Sequence, residues 1–167
     1  EQLTQWRTWK TFTETDISRM QEVELTSQLT ISMIEKKVMG KDASAIKKYY
    51  SKFDEIYANR KIVEDRFRTT VDFIVKNFPG NKNDFVFYKK AVFYTFFLAI
   101  YDNLYGIPSG VDKKITPKKM TSTRIQVLKQ KGDRIKARTA PTEVLEATDR
   151  RTTNPKERDI LFKYLVS

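Results

Sequence analysis

The chain has 167 residues and sets 32 Lys plus Arg against 21 Asp plus Glu, a net charge of +11. With 40% hydrophobic and 13% aromatic residues it carries ample material for a core, which excludes a disordered polyelectrolyte. It has no Cys and no His, so disulfides, thiolate or imidazole metal sites and the most common general base are all ruled out.

The opening segment, with Trp6, Trp9 and Phe12, reads as extended or as a short helical turn. Ser18 with Gln21 three positions on is a capping-box pattern. The stretch from there to Lys37 sets Met20, Val23, Leu25, Leu29, Met33 and Ile34 on a broad apolar face. Gly40 is its expected stop. Asp42 suits the N-cap of a short second helix, in which Ile46, Tyr49, Tyr50 and Phe53 recur at spacings of three and four. From about Asn59 to Asn77 the residues Val63, Phe67, Val71 and Ile74, followed by Phe78, give the cleanest helical period in the chain, and Phe78-Pro79-Gly80 ends it.

Between Phe85 and Tyr105 lie nine aromatics: Phe85, Phe87, Tyr88, Phe93, Tyr94, Phe96, Phe97, Tyr101 and Tyr105. The part from Ala91 to Tyr101 is apolar on almost every side, the pattern of a buried helix, and Gly106 with Pro108 closes it. Thr116-Pro117 forms an N-cap and N1 pair that predicts a helix running to about Ala137, with a weak point at Gly132. Pro141 starts a short helix to about Thr148. Asn154-Pro155 with Glu157 then opens the last one, on which Ile160, Leu161, Tyr164 and Leu165 make a narrow stripe.

The sum is an all-α fold, an irregular bundle of about seven helices around a buried, aromatic-rich central helix. Residues 1–167 read as a single helical domain: a connector at 1–15, the main helices at 16–105, and a basic segment with the C-terminal helices at 106–167. Beginning at Glu1 with no initiator Met, it is expected to be a fragment of a longer protein. The longest apolar run falls well short of the roughly 20 residues needed to span a membrane. With no signal peptide in view, the cytoplasm is the expected compartment, with no membrane partner.

Charge is distributed unevenly. Residues 1–112 carry +2, residues 139–167 carry zero, and the remaining +9 falls in 113–138. Lys113, Lys114, Lys118, Lys119, Arg124, Lys129, Lys131, Arg134, Lys136 and Arg138 stand there against the single acid Asp133. Clustered cations gain free energy by releasing counterions from a nucleic-acid backbone. The competing reading is a solvated lysine-rich surface. On an ideal helix Lys118, Lys129 and Lys136 fall within about 20° of one another, whereas Arg124 and Lys131 fall among apolar positions. Either that helix breaks near Gly132, or the long stems of Arg124 and Lys131 run along the edge of the core. No base-reading element is indicated, so the expected contact is with the backbone and depends on salt.

Little in the sequence suggests catalysis. The acid pairs Glu22 with Glu24, Asp54 with Glu55, and Glu64 with Asp65 point to different faces of their helices. Glu143 with Glu146 lies beside Arg150 and Arg151 as a surface network. No glycine-rich phosphate loop occurs among the five glycines. No catalytic residue, metal site or cofactor is expected.

Three stretches carry a family likeness. Ile17-Ser18-Arg19-Met20-Gln21-Glu22-Val23-Glu24-Leu25, then Val92-Phe93-Tyr94-Thr95-Phe96-Phe97, and finally Ala147-Thr148-Asp149-Arg150-Arg151-Thr152-Thr153-Asn154 followed by Arg158, resemble the helical region behind the catalytic domain of GmrSD-type restriction proteins. The resemblance implies an upstream ParB/sulfiredoxin-like nuclease or nucleotidase domain as partner, and a role in phage defence. The family's Asp-Gly-Gln-Gln-Arg motif is absent, and its His-Asn-His nuclease is impossible without histidine, so no catalytic residue carries over. Arg151 to Asn154 are expected to fix the turn into the last helix through hydroxyl and amide oxygens; the sharper alternative is phosphate contact from Arg150, Arg151 or Arg158.

The expected function is a non-catalytic helical module that supports the absent catalytic domain and offers duplex DNA a basic surface. Its candidate residues are Lys113, Lys114, Lys118, Lys119, Lys129, Lys131, Arg134, Lys136, Arg138, Arg150, Arg151 and Arg158. The alternative is an interaction or homo-oligomerisation domain with no nucleic-acid contact, docking through apolar ends made by Trp6, Trp9 and the final helix.

Overall fold

A computed structural model describes residues 2–53, 57–150 and 152–167. Among them it is all-α, with nine helices: α1 Gln2–Trp9, α2 Glu14–Ser18, α3 Gln21–Glu35, α4 Ala43–Lys52, α5 Arg60–Asn77, α6 Lys90–Tyr105, α7 Ser122–Lys136, α8 Thr142–Asp149 and α9 Pro155–Val166. Two 3₁₀ turns, Val86–Tyr88 and Ile107–Ser109, flank α6. The count exceeds the expected seven or so because the opening segment folds into α1 and α2. None of the described helices is long and apolar enough to cross a membrane.

The helix boundaries correct several expectations. The capping box sits at Thr13 and Asp16, at the start of α2, and not at Ser18 and Gln21. Thr13 Oγ1 accepts from the Asp16 N–H at 3.1 Å while Asp16 accepts from the Thr13 N–H at 3.0 Å. Ser18 instead ends α2, and Met20 turns the chain into α3 through a left-handed φ of 55°. At the other end of α3, Lys36 and not Gly40 supplies the left-handed residue (φ 62°), and the Lys37 N–H reaches back to the Ser32 carbonyl at 3.3 Å, a Schellman-type closure. Asp42 does cap α4, accepting from the Ser44 and Ala45 N–H groups.

Thr116-Pro117 starts no helix. Residues 113–120 are irregular, and α7 begins at Ser122 behind an N-cap from Thr121, whose Oγ1 accepts from the Arg124 N–H at 3.2 Å. Nor does Gly132 break α7. A Cβ there would lie 2.7 Å from the Phe85 ring, so the glycine lets that ring pack onto the helix. At the start of α9, Asn154 occupies the N-cap position with no side-chain cap bond. Backbone oxygens fix the turn instead: Thr153 accepts from the Lys41 N–H at 2.8 Å and Thr152 from Arg158 Nε at 3.2 Å.

The core is aromatic. From Val92 to Tyr101 every side chain of α6 is buried, and α6 lies against α3, α5 and α9. Trp6 and Trp9, each 3% exposed, belong to this cluster and are not free docking groups at an end of the molecule. Trp6 meets Phe93 edge-on at 4.9 Å and Trp9 stacks on Tyr88 at 5.1 Å. Leu161 and Leu165 bury the inner side of α9.

Candidate nucleic-acid interface

The segment between Gly110 and Thr121 joins α6 to α7, and a single buried arginine secures its start. Arg66 lies on the apolar stripe of α5 between Val63 and Phe67 and is 3% exposed. Its guanidinium donates to the Tyr101 hydroxyl at 3.1 Å and to the backbone oxygens of Gly110 and Lys113, and it sits over the Tyr105 ring at 5.0 Å. Gly110, at φ 65°, supplies the turn this requires. Val111 is buried behind it, and Asp112 pairs with Lys36 at 2.8 Å, which holds the Asp112 carboxyl below the usual carboxylate range. Further on, the Lys118 N–H donates to the Leu104 carbonyl at 2.7 Å and Met120 is buried.

This anchored loop displays Lys113, Lys114, Lys118 and Lys119. All four are exposed, and among the described residues none has an ion pair or a side-chain hydrogen bond. Four like charges on one short backbone can persist unpaired because each ammonium remains in water.

The basic side chains of α7 are held differently. Arg124 donates to Asn103 Oδ1 at 3.2 Å and to the backbone oxygens of Ser167 and Leu165 at 2.6 and 2.8 Å. Lys131 donates to the Tyr164 and Ser167 oxygens at 2.7 and 2.9 Å. Together they satisfy the free carbonyls at the end of α9 and complement its dipole. Burial, followed by the charges of Arg124 and Arg134, pushes Lys131 below the ordinary lysine value. Lys136 donates to the Asn83 oxygen at 3.1 Å, Lys129 sits over the Phe78 ring at 5.7 Å, and Arg138 pairs with Asp149 at 2.6 Å. Of the two readings for Arg124 and Lys131, the structure therefore has the long stems running along the core edge on an unbroken helix. Among the described residues Arg134 alone of the α7 cations is exposed with no ion pair, hydrogen bond or ring contact of its side chain.

Three candidates lie outside the segment. Arg150 is exposed, and Arg151 lies outside the described residues, as do Asp54 and Glu55. Arg158 is 4% exposed and faces inward. Its guanidinium covers the Tyr94 ring at 3.7 Å and donates to the Met39 oxygen at 2.7 Å and to Gln28 Oε1 at 2.8 Å. It ties α9 to α3 and presents no fork to a phosphate. Sequence reasoning missed Arg66, although an arginine on the stripe Val63, Phe67, Thr70 was a visible signal. Among the described residues no group of three or more acidic side chains gathers where a metal ion would bind. Compared with known proteins, the chain matches no family model, no curated protein and no solved structure.

Proposed function

We propose that this chain is a non-catalytic helical module that holds a nucleic-acid backbone on the loop between α6 and α7. Lys113, Lys114, Lys118 and Lys119 are the primary contacts and Arg134 is a further one. The setting is the one the GmrSD-type resemblance implies, beside an N-terminal catalytic domain of a restriction protein. A single observation carries the reading: four unpaired lysines on a loop tied to the core at Lys113 and Lys118, so that little ordering entropy is lost when phosphates settle on it.

The test is binding of the chain to a duplex across a salt series. Four phosphate contacts predict that log affinity falls against log salt with a slope of about −3 to −4. Replacing the four lysines by Gln is expected to flatten that slope. Absence of binding at low salt, or a slope that survives the replacement, would remove the proposal.

A further inference from the structure

A second feature lies between α3 and α4, and none of the four loop lysines lines it. The two helices flank an open groove of about 640 Å³, within the range of roughly 300–1,000 Å³ usual for small-molecule sites. Its walls are apolar and aromatic: Ile31 and Ile34 from α3, Ile46 and Tyr49 from α4, Phe53 at the C-terminal end of α4, and Trp6 from α1. Ser27 Oγ and the Tyr50 hydroxyl, 2.8 Å apart, join the two helices across it.

Within this lining stands Glu22, 9% exposed, whose Oε2 is buried and has no hydrogen-bond partner. The nearby Thr26 hydroxyl is already engaged, donating to the Glu22 backbone oxygen at 2.7 Å. Among the described residues that form the lining there is no Lys or Arg, although the chain carries 32 of them. A buried carboxylate without a donor is costly, and a cation arriving from outside would relieve that cost. The aromatic wall suits such a guest, since ring faces attract ammonium groups. Lys52 Nζ already sits 5.1 Å from the centre of the Phe53 ring and 5.9 Å from that of Tyr49.

We propose that the groove between α3 and α4 is a binding site for a small organic ammonium ion with an apolar body, its cationic head paired with Glu22 and its body held between Ile31, Ile46 and Phe53. The site makes no use of the basic loop, so it stands or falls independently of nucleic-acid binding.

Three ligands of one shape test it: 4-phenylbutylammonium, 4-phenylbutanol and 4-phenylbutyrate, titrated into the chain by calorimetry and followed by the fluorescence of Trp6 and Trp9 together. The ammonium is expected to bind at least tenfold more tightly than the alcohol, and the carboxylate not at all. In Glu22→Gln the ammonium should weaken to the level of the alcohol, whose own affinity stays unchanged, while Tyr49→Ala should weaken both. Equal binding of ammonium and alcohol to the unmodified chain would overturn the proposal whether or not any variant folds. So would absence of ammonium binding, or sedimentation showing that a second copy of the chain closes the groove.

Discussion

The loop at 113–119 and the helix α7 are neighbours in sequence and similar in basic content, four cations against five, yet they use their charge in opposite ways. Among the described residues the loop's lysines make no ion pair or side-chain hydrogen bond, whereas all but one of the cations on α7 are engaged by carbonyls, an amide oxygen or an aromatic ring. The difference comes from packing. A helix that buries Leu128 and Ile135 lays its long side chains along its neighbours, and their heads find the end of α9 and the turn at Asn83. The irregular loop has backbone tethers, but among the described residues its four lysines reach no such carbonyl or ring. Net charge therefore overstates the charge available to a partner, and the paired half of this segment serves the fold.

The largest effect expected is at the anchor of the loop. Arg66→Met leaves the Gly110 and Lys113 oxygens and the Tyr101 hydroxyl without a buried donor, and should cost about 3 kcal/mol of unfolding free energy in urea. Duplex affinity should fall with it, measured where the variant is still folded. An Arg66→Met chain that binds DNA as well as the parent would show that the loop needs no tether. Arg124→Met, by contrast, exposes carbonyls at a chain end that water can reach, and about 1 kcal/mol is expected.

Next in size is the charge of the loop itself. For four phosphate contacts the parent chain should lose about a hundredfold in affinity between about 50 and 200 mM salt. The fourfold Lys→Gln variant at 113, 114, 118 and 119 should lose most of that dependence with little change in stability, because the four side chains are exposed and make no ion pair or side-chain hydrogen bond among the described residues. Smaller again is the double variant Lys129→Gln with Lys136→Gln. Both cations are engaged within the fold, so the slope should move by less than about 0.5 while stability falls by about 1 kcal/mol or less. Equal slopes for the two sets would erase the distinction between loop and helix.

Much of this was legible beforehand, and the failures have common physical causes. The 3.6-residue period of Val63, Phe67, Val71 and Ile74 gave α5 to within a residue, and the all-round apolar run gave α6, because both signals come from burial that the sequence itself encodes. The start of α7 was misplaced since Thr116-Pro117 is an acceptable cap locally, whereas burial of Met120 and the tether at Lys118 draw the chain into an irregular path. Lys36 and Met20 in left-handed conformations were invisible, because nothing in either side chain announces a positive φ. For the candidate site, the cluster of cations could be read directly, but their pairing could not. Which lysines meet the end of α9 is settled by contacts across 33 and 36 positions. The groove at Glu22 was missed for the same reason: its two walls belong to separate helices, and the acid has no partner near it in sequence.

The smallest effect is a pH dependence, and it carries the contrast between held and free cations beyond the basic segment. Lys90 is a held cation, its Nζ 2.6 Å from Asp16 and 2.7 Å from Gln21 Oε1. That hydrogen bond, with the Thr13 N–H next in weight, holds the Asp16 carboxyl down at about 2. The unfolded chain titrates this group near its ordinary value of 3.8, so between 3.8 and about 2 the unfolded state binds more protons. The stabilisation is thus complete above 3.8 and is lost as the pH falls through about 2. Asp16→Asn should be less stable than the parent by about 1 kcal/mol near neutrality, from the weakened cap and the lost pair. In urea titrations stepped from about pH 5 to about pH 2, that gap should close as the parent's own carboxylate becomes protonated. A gap that stays constant over the whole range would mean that Lys90 does not hold the carboxylate in solution, and that proximity to an acid is not enough to class a lysine of this chain as engaged.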